Sequence, residues 1–218
     1  MTDHFAIIND AVDVDRATEE ATEYFLQADE MCMVSRYSWH HDIDEDSVNL
    51  EDQDTAEDFR VFVSDYASEK VGEAISELCW SIKPDDDDRI QIWRSITVPH
   101  DWLENGLDAR PIGRYWAYVE DAAEPHWGDF SEGRRVIVLH GLVDMCDVDW
   151  QTTVTVNAHS EEEREIRVKD TASIHVLSAT WMPSHRGDSS DTIAIGRDLH
   201  AGSSGFEDTL AAAAGMAA

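Results

Sequence analysis

Lysine is almost missing from this chain. It stands only at Lys70, Lys83 and Lys169, so nearly all of the 16 basic residues are arginine, against 47 acidic ones. The formal net charge is −31 over 218 residues. So few cations cannot readily assemble a basic face, which argues against direct binding of nucleic-acid phosphate. Cysteine is scarce too. Cys32, Cys79 and Cys146 are odd in number, far apart and in no C-x-x-C pair, which argues against a disulfide framework and a zinc ribbon and fits a reducing compartment. No window approaches the roughly 18 apolar residues of a membrane span. The N-terminal "MTDHFAIIND" lacks the basic region and apolar run of a secretion signal. The expectation is a cytoplasmic protein without a membrane partner. A nucleophile elbow, a P-loop and a dinucleotide-binding glycine-rich turn are absent as well.

What remains is ample for a folded domain. Hydrophobic residues make up 42% of the chain and eight of them are tryptophan. The carboxylates are spread along the whole length, a pattern that suits solubility in concentrated salt. At ~1 M the Debye length is only about 3 Å, so self-repulsion fades. A halophilic host, or its virus, is the expected source. The competing readings are an acidic mesophilic protein and a mimic of nucleic acid.

The hydrophobic period changes along the chain. In "TAEDFRVFVSDYASEKVGEAISELCW", from Thr55 to Trp80, apolar residues recur at helical spacing behind a capping-box-like start at Thr55 and Asp58. A second helix is predicted from about Asp15 to Met31, and "HHDIDEDSVNLEDQDT" reads as an acidic loop. After "KPDDDD" the period becomes that of strands: "RIQIWRSITV", "RRVIVLHGLV", "WQTTVTV", "EREIRV" and "SIHVLSATW". "PHDWLENGL" and "EDAAEPHW" read as short helical insertions. The fold class is therefore α+β, with N-terminal helices in 1–88, a mainly antiparallel sheet domain in 89–200 and a low-complexity tail in 201–218.

Several side chains invite chemistry. Arg94 lies mid-strand between the apolar same-face neighbours Ile92 and Ile96, so its guanidinium needs an anion, from a ligand or from the protein itself. "PIGRYWAYVEDAAEPHW" turns at Gly113 and then presents Arg114, Tyr115, Trp116 and Tyr118. Such rings stack on a flat ligand or fill a core. In "HSEEEREIRV" a strand through Glu163 would send Glu163 and Glu165 to one face and Ile166 and Val168 to the other. The alternative frame, Glu161 with Glu163, would bring Ile166 onto the carboxylate face. His40 and His41 read as solvated loop histidines without metal-ligand spacing. Cys146 reads as a partly buried structural thiol.

The order of these elements, "IWRSI", then "GRYWAY" running into a small helix, then a loop into "EEEREIRV", resembles the ADP-ribosyltransferase family, particularly its small bacterial-toxin and phage members. The resemblance covers about Arg89 to Ala179. It implies two packed sheets around an NAD-binding cleft, with NAD as substrate and a macromolecular acceptor, a protein foremost. It implies that Arg94 contacts the phosphate and ribose of NAD, with Arg114 as a second cation and Tyr115 or Trp116 covering the nicotinamide. It implies that Glu165 is catalytic and that Glu163 activates the acceptor. One departure stands out: the middle motif of the arginine-targeting branch is Ser-Thr-Ser-like, and here Ala117 occupies a position where a hydroxyl is expected. A fold kept without NAD chemistry, serving as a virion component or protein-interaction module, is the rival expectation.

Overall fold

The computed structural model describes residues 4–105, 111–123, 134–160, 164–182 and 191–202. The chain divides into two compact units. One holds 5–80 and 150–162 and is helical. The other holds 81–149 and 163–218, with 1–4, and contains the sheet. Among the described residues no helix is long and apolar enough to cross a membrane.

The helical unit is built from α1 (His4–Ala11), α2 (Val14–Ala28), α3 (Glu30–His41), α4 (Gln53–Ser81) and α6 (Trp150–His159). Helix α4 follows its sequence period: Phe59, Val63, Ala67, Val71, Ala74 and Leu78, spaced three or four apart, are all buried. Its start lies slightly earlier than the expected Thr55, because the Asp52 carboxylate accepts from both the backbone N–H and the hydroxyl of Thr55. The helix expected over residues 15–31 is two helices. Asp29, outside helical geometry at φ −131° and ψ 23°, separates α2 from α3. His40 and His41 sit in the last turn of α3, not in a loop, and their rings lean on Phe62 and Tyr37.

Helix α6 corrects the sequence reading most directly, since "WQTTVTV" was expected to be a strand. Its β-branched alternation suits a strand, but Trp150, Thr153, Val154, Asn157 and Ala158 are also one helical face, and that face is buried. The polar groups are satisfied within the helix: Thr155 Oγ1 donates to the Gln151 carbonyl at 3.0 Å and Asn157 Nδ2 to the Thr153 carbonyl at 2.8 Å. Helix α2 runs parallel to α6. The Asp13 N–H donates to Gln151 Oε1 (2.8 Å), Thr155 Oγ1 meets Glu20 Oε2 (3.2 Å), and the rings of Tyr24 and His159 stack.

The sheet unit holds β1 (Arg89–Pro99), α5 (Trp102–Asn105), β2 (Tyr115–Ala117), β3 (Arg134–Asp144), β4 (Glu165–Arg167), β5 (Ser173–Trp181) and β6 (Thr192–His200). Strand β6 has no counterpart in the sequence reading. Its residues are mostly exposed, so the alternation that marks a half-buried strand is weak. Among the described residues the strands form one six-stranded antiparallel sheet in the order β4-β2-β1-β3-β5-β6, where two sheets were expected. Strands β1 and β3 pair over their whole length, whereas β1 and β2 share the single pair Trp93 and Ala117.

Register and alternation give the sheet two different faces. One carries Ile92, Trp116, Leu139, Ile166 and Ile174, all buried to 2% exposure or less. The other carries Trp93, Tyr115, Ala117, His140, Glu165 and Arg167. On this second face a short 3-10 turn, Asp121–Ala123, packs Ala123 with Ala117 and Val138 and brings Ala122 against them.

Candidate functional site

The three sequence motifs meet on three neighbouring strands. Strand β2 lies between β1 and β4, with Ala117 paired to Trp93 on one side and to Glu165 on the other. Because Trp93 also pairs with His140, one row on one face reads His140, Trp93, Ala117, Glu165. The rings of Trp93 and His140 stack with centroids 4.8 Å apart and planes within 2°. His140 Nε2 lies 3.1 Å from Gln91 Oε1. Burial pushes the His140 pKa down, and the Glu120 carboxylate partly opposes this.

Glu165 opens β4, and its side chain is only 15% exposed. Two residues on, Arg167 shares its face, with Nε 3.7 Å from Glu165 Oε1 and the side chain 13% exposed. The Arg167 guanidinium carbon lies 3.4 Å from the centroid of the Tyr115 ring, and Tyr115 is its cross-strand partner. These three side chains are one cluster. Glu163 lies outside the described residues. Arg164, just before the strand, has φ 47°, so the extended alternation assumed from Glu163 to Glu165 does not run through it.

The other expected residues have different surroundings. Arg94 pairs with Leu139 and leaves the sheet on the apolar face, opposite to Glu165. Its Nη1 donates to the Tyr115 carbonyl at 2.6 Å. The expectation for this arginine was an anion, and one acceptor that it meets is instead an uncharged backbone carbonyl beside the sparsely paired β1/β2 junction. Trp116 is 2% exposed and its indole N–H donates to the Gly113 carbonyl at 2.9 Å, an arrangement that fills a core. Arg114 pairs with Asp170 at 2.8 Å. Cys146, expected to be partly buried, is exposed, and Cys79 is the buried thiol.

Sequence reasoning passed over Arg167, Trp93 and His140. The signal for Arg167 was within reach, since the alternation that separates Glu165 from Ile166 also returns Arg167 to the glutamate's face. Trp93 and His140 become neighbours only through the β1/β3 register, which no local pattern encodes.

No family model, no curated protein and no solved structure matches this chain.

Proposed function

We propose that the chain is a mono-ADP-ribosyltransferase that moves ADP-ribose from NAD to a macromolecular acceptor, with the sheet as its NAD-binding core. The observation that carries the reading is the adjacency of β1, β2 and β4, in which the arginine, aromatic and glutamate motifs occupy neighbouring strands and Ala117 stands directly opposite Glu165. The division into two sheets expected of such a core would fall between β1 and β2, which share one residue pair where β1 and β3 share eleven.

The chemistry is simple to state. The bond between the ribose anomeric carbon and the nicotinamide nitrogen breaks, and its electron pair neutralises the pyridinium. The sugar left behind is cation-like, and the Glu165 carboxylate stabilises that charge as it develops. The acceptor's nucleophile then bonds to the anomeric carbon and gives its proton to a carboxylate base, the role assigned to Glu163. Tyr115, on the same face as Glu165, is a better candidate for the nicotinamide than the buried Trp116. The resemblance assigns the pyrophosphate to Arg94 and Arg114, of which Arg94 leaves the sheet on the face opposite Glu165. Each would have to exchange a present partner, the Tyr115 carbonyl and Asp170 respectively, for phosphate.

The test is labelled NAD with the full chain and extract of a halophilic host in molar KCl, following label on macromolecules and free nicotinamide. Transfer is expected, and Glu165→Gln, nearly isosteric, should lower it by about a hundredfold or more while leaving the melting temperature in place. Absence of transfer and nicotinamide release, with no effect of NAD on melting, overturns the reading. The opposite-face placement of Arg94 favours that second outcome, a noncatalytic acidic interaction module indifferent to substitution of Arg94 and Glu165.

A further inference from the structure

We propose that Arg167 is a positioning residue for Glu165, with the Tyr115 ring as its platform. The inference rests on the transferase reading of Glu165 and extends it to residues that the motifs do not include. Strand period alone puts Glu165 and Arg167 on one face. Their charges are largely withdrawn from water, at 15% and 13% exposure, and stand 3.7 Å apart. In such surroundings each charge offsets part of the cost of burying the other.

The platform supplies direction. Tyr115 lies across from Arg167 in the β2/β4 register, and the guanidinium rests against its ring at 3.4 Å. Stacking restricts the guanidinium's tilt beside Glu165, and at 3.7 Å Nε and Oε1 attract as charges without a hydrogen bond between them. The arginine's own positive charge opposes a developing sugar cation, so its contribution is geometric: it holds the carboxylate in one orientation. Lysine would retain the charge but not the planar face that stacks on the Tyr115 ring. Such a role affects the chemical step more than NAD binding.

The experiment uses the full chain in molar KCl. Nicotinamide release from NAD is measured for wild type, Arg167→Met, Arg167→Lys and Tyr115→Leu, beside carbon NMR of protein labelled at the glutamate carboxyl. The Glu165 signal is identified by its loss in Glu165→Gln. Arg167→Met is expected to lower kcat by about tenfold or more with KM for NAD within about twofold, and Arg167→Lys to recover part of the loss. The Glu165 signal should move in Arg167→Met and return partway in Arg167→Lys. Unchanged kcat with an unmoved signal overturns the inference, as does a kcat loss that only tracks a lowered melting temperature. Should Arg167→Met fail to fold, Arg167→Lys carries the same comparison in kcat and KM, and Tyr115→Leu, which removes a ring that also faces the nicotinamide, carries it in the Glu165 signal alone. If the wild type releases no nicotinamide, a moving signal sustains the positioning role while the transferase reading falls, and an unmoved one ends both.

Discussion

His159 lies face to face on Tyr24 within the helical unit, ring centroids 3.7 Å apart and planes within 15°. Burial pushes its pKa below the ordinary 6.5, because an imidazolium there would lose its water without gaining a partner charge. The unfolded chain therefore takes up the proton first. Stability is complete above about 6.5 and is lost as pH falls through 6.5 toward the depressed folded value. Thermal melts at constant molar KCl should show this fall, and His159→Phe, which keeps the ring stack and cannot titrate, should reduce it. An equal fall in both proteins would remove His159 as the cause. At this scale the sequence was informative wherever one residue's chemistry sufficed. Arg94 was expected to meet an anion, and one group that its guanidinium meets is the uncharged Tyr115 carbonyl. Which oxygen it meets depends on a neighbouring strand, and nothing near Arg94 in the chain specifies that.

Elements were legible where one hydrophobic period dominated. Helix α4 and strands β1 and β3 each bury a face that can be read directly from the residues. Helix α6 was misread because its sequence satisfies both periods, and burial of the face through Thr153 and Asn157 decided between them. The β3/β5 pairing adds a constraint that appears in the sequence only as a glycine. At Gly141, beside a register shift, an added Cβ would sit 2.8 Å from Ile174 Cγ2 and 3.3 Å from the His175 carbonyl oxygen. Gly141→Ala should therefore cost about 1–3 kcal/mol, read from the denaturant midpoint. A neutral result would mean that β5 shifts freely away from β3. Arg164, left-handed at the mouth of β4, likewise ended the regular alternation that periodicity alone would extend back to Glu163.

Over the whole molecule, charge is the dominant quantity. With −31 formal charges and 16 basic residues, self-repulsion opposes compaction at low ionic strength and is screened in concentrated salt. The melting temperature should rise continuously from low to molar KCl, and a flat or falling profile would refute the halophile reading. Composition alone determined that expectation, since net charge is a sum over residues and needs no coordinates. Sequence by itself likewise determined the α+β class, the long amphipathic helix and the alternation from Glu165 onward, because each follows from residues close in the chain. Only the tertiary structure decided that β2 stands between β1 and β4, that Arg94 and Glu165 leave opposite faces, and that Tyr115 carries Arg167 beside the glutamate. Those facts depend on strand order and register, in which a shift of one residue moves a side chain to the other face, and register is set by packing among segments far apart in the chain.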